Sequence, residues 1–233
     1  MNGIPRGWVA ARVPFTEEHP AWMRDGPRPE APILVLCHGM SQGPEAWFEM
    51  APRLVALPAH MLLPAGPYPH EVRTGGAIRI GRAWYLYDGG PDRFRETVDR
   101  SERWLLEVIA RAEAERGWKP ARRVLVGYSQ GAYFSYVAAL RHQNFFSHLI
   151  AVAGRLKEEF LVEELAKGGP LHTLVVHGER DNAVDSTAAL RSHRLLLDAG
   201  YRAEQLLVPT GHAFTPEIDE RTALWIAEHA LTV

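Results

Sequence analysis

Four short apolar runs punctuate the chain: ILVLC at 33–37, RVLVG at 123–127, LIAVA at 149–153 and TLVVH at 173–177. Each contains or is soon followed by a glycine, and longer amphipathic stretches separate them. Runs of Val, Ile and Leu with so little polar alternation fit strands buried on both faces, as in a parallel sheet with helices on each side. HMLLP at 60–64 and AEQLLV at 203–208 are weaker strand candidates, and WVAARVPF at 8–15 reads as an edge strand limited by Pro14. Between the runs, Phe94, Val98, Leu105, Val108, Ile109 and Ala112 recur at helical steps over 92–116, with Gly117 as a stop. Helices are also expected over 130–141, 186–199 and 216–230, the last with Thr215 as N-cap and Pro216 at its first position. No repeat, charged block or linker divides the sequence. Residues 1–233 therefore read as one α/β domain: a mainly parallel sheet, right-handed crossovers and helices on both faces.

Composition excludes several classes of function. Hydrophobic residues make up 46% and charged residues 23%, which rules out wholesale disorder. A net charge of −2 gives no field favouring nucleic acid. The single cysteine, Cys37, cannot form an internal disulfide and, at the end of an apolar run, reads as packing. No window approaches the ~18 apolar residues of a membrane span, so no stable membrane insertion is expected. The first residues lack an apolar stretch after a basic start, and a cytoplasmic location is expected. Eleven histidines show no HxH, HxxxH or HExxH spacing, so no metal is expected in the chemistry. Nothing in the pattern specifies an oligomer.

Residues 64–92 fit no period and combine Pro, Gly and the aromatics Tyr68, Trp84, Tyr85 and Tyr87. A loop of that length with large aromatics is expected to line a pocket.

The chemistry-bearing residues follow the apolar runs. Gly127-Tyr128-Ser129-Gln130-Gly131 joins a strand to a helix. A serine hydroxyl is a poor nucleophile unless lifted clear of the surface beside a base, and a sharp strand-to-helix turn between glycines does the lifting. His38-Gly39-Met40 follows the first run, where backbone N–H groups are placed to hold a developing oxyanion; Met40 and Gln130 are the expected donors. His38 itself is expected to hydrogen-bond locally rather than to act as a base. Asp181 follows the run at 173–177 and His212 follows the one at 203–208. The order Ser129, Asp181, His212 places a nucleophile, an acid and a base at the carboxyl edge of one parallel sheet.

These residues resemble the phospholipase/carboxylesterase branch of the α/β-hydrolases, which includes acyl-protein thioesterases and small bacterial carboxylesterases. The likeness lies in LCHGM at 36–40, LLPAGPY at 62–68, AWYLYD at 83–88, VGYSQG at 126–131, VAG at 152–154, VVHGERDNAV at 175–184 and the Gly211-His212 pair. It implies an α/β-hydrolase fold and a serine hydrolase with Ser129 as nucleophile, Asp181 as acid and His212 as base, needing no metal or organic cofactor; the expected strands and helices use nearly all 233 residues, so no separate cap domain is expected. Two positions depart from the family pattern. Tyr133-Phe134 stands where a small residue is usual at 133, and Asp185 replaces a usual proline, which makes Asp185 a rival for the acid role. Trp47, Phe48, Tyr68, Trp84, Tyr85 and Tyr133 are expected to wall a short pocket for a small-molecule ester. The competing expectations are a thioesterase acting on acylated protein or lysophospholipid, and a non-catalytic binding protein on the same scaffold.

Overall fold

The computed structural model describes residues 19–231. In chain order its elements are β1 (Ala21–Arg24), β2 (Ile33–Cys37), α1 (Ala46–Met50), α2 (Pro52–Val55), β3 (His60–Pro64), β4 (Tyr68–Thr74), β5 (Ala77–Ala83) and α3 (Pro91–Arg116). Then follow β6 (Arg123–Tyr128), α4 (Gln130–Arg141), β7 (His148–Val152), α5 (Val162–Lys167), β8 (His172–Gly178), α6 (Ser186–Asp198), β9 (Arg202–Val208) and α7 (Pro216–His229).

Seven strands make the central sheet in the order β1-β3-β2-β6-β7-β8-β9. All neighbours are parallel except β1, which runs antiparallel along β3. The expected edge strand at 8–15 lies outside the described residues; AWMR at 21–24 forms this edge.

Alternation along each strand explains the uninterrupted apolar runs. Ile33, Val35 and Cys37 face one core together with Leu125, α3 and α4 residues such as Phe94, Leu105 and Phe134, and Ala189 and Leu196 of α6. Leu34 and Leu36 face the other, against Trp47, Leu54, Ile218, Trp225 and Ile226 of α1, α2 and α7. The register lines up Leu36, Val126, Ile150 and Leu174 as one row across four strands. Every strand residue in the middle of the sheet thus loses water on its own face, at roughly 1.5–3 kcal/mol for each large aliphatic side chain. The expected helices form within a residue or two of their expected bounds, and the Thr215 side chain accepts from Ile218 N–H as the N-cap of α7. None of the described helices is long and apolar enough to cross a membrane.

The segment 64–92 is not the structureless loop its composition suggests. Strands β4 and β5 pair antiparallel from Tyr68↔Ala83 to Thr74↔Ala77. Gly75 and Gly76 both have positive φ, 56° and 85°, as a two-residue turn twisted to match its strands requires. The hairpin stands apart from the main sheet and is largely exposed, so no core imposes a period on it. Its root is pinned to the loop after β2: Ser41 N–H donates to Arg82 O at 2.9 Å and Arg82 N–H to Gln42 O at 2.8 Å.

Candidate active site

The turn from β6 into α4 holds Ser129 at φ 52° and ψ −119°, a left-handed conformation rare for a residue with a side chain. Such strain costs about 1–3 kcal/mol and persists only where surrounding structure imposes it. The flanking glycines allow it. A Cβ on Gly131 would stand 2.1 Å from Cys37 O, and one on Gly127 would stand 2.5 Å from Gly131 O. Only a bare backbone lets α4 start this close to β2.

The loops after β8 and β9 bring Asp181 and His212 to the same edge. Ser129 Oγ lies 2.9 Å from His212 Nε2, and His212 Nδ1–H donates to Asp181 Oδ2 at 2.8 Å. The other carboxylate oxygen, Asp181 Oδ1, accepts from Ala183 N–H at 2.8 Å and Val184 N–H at 2.9 Å. Burial alone would raise the Asp181 pKa, but the N–H groups of Val184 and Ala183, with His212, outweigh it and hold the carboxyl below its ordinary value. Asp185 is elsewhere: it caps α6, accepting from the N–H and Oγ1–H of Thr187 at 2.8 Å each. The structure therefore brings Asp181, not Asp185, to His212.

Two supports escaped the sequence reading. His177 is fully buried; its Nε2–H donates to Val184 O at 2.8 Å and lies 3.3 Å from Asp181 Oδ2, bracing the acid loop from below. Tyr128 sets its ring beside His212, 5.7 Å between centroids, and its hydroxyl donates to His212 O. His177 ends the apolar run at 173–177 and Tyr128 belongs to the elbow motif, and neither position by itself marks its side chain as a support for the acid or the base.

Among the described residues, neither Met40 N–H nor Gln130 N–H donates to a protein acceptor. The Gln130 side chain is engaged: its Oε1 accepts from Trp84 N–H at 2.8 Å and its Nε2 donates to Tyr85 O at 3.1 Å, tying 84–85 to the elbow. The Trp84 indole N–H donates to His38 O at 2.8 Å.

Of the expected pocket residues, Trp47 and Trp84 require correction. Trp84 is fully buried, stacked on Phe134 at 4.8 Å and 10°. Trp47 is fully buried edge-on to Phe214. Both lie behind the site as core and present no surface to a ligand. Phe48 is exposed; Tyr68 donates to Thr97 O; Tyr85 and Tyr133 are half-buried. Tyr133 leans on the elbow, where a Cβ on Gly154 would meet both its ring and Ser129 O.

His38 bonds locally, as expected. Its Nδ1–H donates to Gly39 O at 2.7 Å and its Nε2 accepts from Gly66 N–H at 2.9 Å. Burial pulls its pKa from 6.5 down to about 4. The unfolded chain takes up this proton below about pH 6.5 and the folded chain only near 4. The stability carried by the neutral ring is therefore complete above 6.5 and drains away between those values, about 3 kcal/mol in all. His38→Gln, whose amide can serve the same two partners, is expected to flatten the fall of the urea midpoint over that range. Parallel pH slopes for the two proteins would refute the assignment.

Residues 21–227 match the family described as Phospholipase/Carboxylesterase. The chain belongs to this family. Among solved structures, the fold is similar to esterase PE8, at 21% identity over 91% of this chain and 99% of that one, with a TM-score of 0.72. It is also similar to a Bacillus cereus carboxylesterase, at 16% identity over 90% and 94% of the two chains and a TM-score of 0.71. Zea mays acyl-protein thioesterase 2 aligns at 19% identity over 91% and 99%, with a TM-score of 0.67. A search of curated protein sequences finds no match. The family is one of hydrolases, the fold is that of the α/β-hydrolases, and membership supports an esterase activity. In this setting the hydrogen-bonded line Ser129–His212–Asp181 has the chemistry to move a proton off a hydroxyl.

Proposed function

We propose that the chain is a cytoplasmic serine esterase that cleaves small carboxylic esters with short acyl chains through an acyl-enzyme. The observation that carries this reading is the line of hydrogen bonds from Ser129 Oγ through His212 to Asp181, set on a strained elbow. His212 Nε2 takes the Ser129 proton as Oγ attacks the ester carbonyl. The Met40 and Gln130 N–H groups receive the charge that develops on the carbonyl oxygen. Asp181 holds the imidazole with its proton on Nδ1 and stabilises the imidazolium. His212 then returns the proton to the leaving alcohol, and in the second half it activates the water that releases the acid. A fluorophosphonate probe tests the nucleophile: covalent labelling is expected in the wild type and none in Ser129→Ala. A folded, unlabelled wild type would favour a non-catalytic binding protein instead.

The short-chain preference rests on Lys157. Its ammonium lies 4.8 Å from the Phe94 ring centre, 5.4 Å from Tyr87 and 5.7 Å from both Tyr133 and Phe160. Burial lowers its pKa. The aromatic surface beyond Tyr133, which a long acyl chain would need, is thus taken by a side chain of the protein itself. Lys157→Ala is expected to move the optimum among esters of two to sixteen carbons toward longer chains. Each further methylene buried in the vacated space is worth up to about fourfold in kcat/KM. An unchanged profile from a folded variant would remove Lys157 from the account.

A second reading is favoured by one feature. Met40, Phe48, Ile78 and Ile80 are all exposed on the Met40 turn, α1 and the hairpin pinned to that turn. An apolar rim of this kind suits a thioesterase acting on acylated protein or lysophospholipid, and a wild-type optimum at long chains would select it.

A further inference from the structure

Three side chains from three elements converge at the amino-terminal edge of the sheet, the opposite edge from Ser129. His172 opens β8, Glu204 lies on the neighbouring β9, and His229 ends α7. His172 Nε2 is 2.7 Å from Glu204 Oε1, and His229 Nε2 is 3.7 Å from the same oxygen. One ligating atom from each of His172, Glu204 and His229 falls within 4.8 Å of the others.

The rings are held in place rather than splayed into solvent. The His172 side chain is 6% exposed and that of His229 18%; their centroids are 5.0 Å apart, and both pack on the Trp225 ring at 4.7 and 4.8 Å. Glu204, at 43%, opens the cluster to water. Two guanidiniums stand near: Arg202 on β9, and Arg122, whose Nη1 donates to His229 O and Ala230 O at the end of α7.

We propose that His172, Glu204 and His229 form a zinc site that clamps β8, β9 and α7 together, with water as the fourth ligand. The donor set decides the metal. Two imidazoles and one carboxylate offer nitrogen as well as oxygen, and imidazole nitrogen suits zinc, whereas calcium and magnesium seek oxygen alone. Tetrahedral zinc with bonds of about 2.0–2.2 Å sets its ligand atoms roughly 3.3 Å apart. The separations of 2.7 and 3.7 Å to Glu204 Oε1 bracket that spacing, and the two imidazole nitrogens lie within 4.8 Å of each other, so small side-chain adjustments bring the three ligands onto one ion. On binding, the Nε2 proton that His172 now donates to Glu204 leaves the site or moves to Nδ1. The site is not catalytic. Strand β8 alone spans seven residues, about 20 Å, between His172 and the loop that carries Asp181.

Untagged, metal-free protein titrated with Zn2+ alone tests the site. One equivalent is expected to bind and, at about 100-fold above Kd, to raise Tm by about 5 °C or more. His229→Gln and Glu204→Gln are each expected to abolish that rise, while His212→Gln keeps it. Co2+ in place of zinc is expected to give the intense visible bands of four-coordinate cobalt, lost in His229→Gln. No rise in Tm, a rise that survives His229→Gln and Glu204→Gln, or one that disappears in His212→Gln would each overturn the assignment.

Discussion

Ser129→Ala is expected to lower kcat on a short-chain ester by roughly 10⁴–10⁶-fold while leaving Tm close to that of the wild type. The rate falls this far because no neighbouring group can replace the hydroxyl as the atom that forms the acyl-enzyme. The residue preceding it is Tyr128, buried and bonded to His212 O, and the next is Gln130, whose side-chain amide is spent on Trp84 and Tyr85. On the proposed mechanism, what survives is whatever the Met40 and Gln130 N–H groups lend to direct attack by water. The fold tolerates the change because Ala meets the same steric demand as Ser at φ 52°, and the turn is imposed by the close approach of Gly131 to Cys37 O and not by the serine side chain. Only the hydrogen bond to His212 is lost from the native state, on the order of 1 kcal/mol. Steady-state rates with thermal melts of both proteins check this. Near-native turnover from a folded Ser129→Ala would end the proposal.

The sequence discloses the sheet and the Ser129, Asp181 and His212 positions for one physical reason. A strand covered on both faces has no polar alternation, so its run is visible by itself, and chemistry at the carboxyl edge of a parallel sheet must follow such a run. Each of the three residues does. What stayed hidden depends on contacts between distant segments. Strands β4 and β5 pair with each other and with Ser41 and Gln42 rather than with a core, so their side chains show no burial period; the Gly75-Gly76 turn was their one local mark. Trp47 and Trp84 were misplaced because a Pro- and Gly-rich neighbourhood looks the same whether its aromatics turn outward or, as here, into the cores. His177 braces Asp181 from within an apolar run, and the rings around Lys157 come from residues 87, 94, 133 and 160. The cluster of His172, Glu204 and His229 has no motif spacing because each ligand belongs to a different element.

Asp181→Asn is expected to reduce kcat by roughly 10⁴-fold, whereas Asp185→Asn leaves it within about twofold. The size of the first effect follows from which way the amide must point. Asp181 Oδ1 accepts from the N–H groups of Ala183 and Val184, which are donors only, so the asparagine oxygen takes that place. The amide nitrogen then faces His212 Nδ1, where a carboxylate oxygen now accepts. A donor there forces Nδ1 to act as acceptor and moves the imidazole proton to Nε2. Nε2–H then points at Ser129 Oγ and cannot take its proton. Local geometry is kept and the tautomer is wrong, so binding of an ester is retained while the chemical step fails. At 185 the same substitution changes little, because asparagine caps a helix about as well as aspartate and Oδ1 can still accept from Thr187. Rates and nitrogen-15 spectra of the His212 ring in the two variants check both halves. Activity lost in Asp185→Asn and kept in Asp181→Asn would transfer the acid role to Asp185, against the 2.8 Å contact that Asp181 makes with His212.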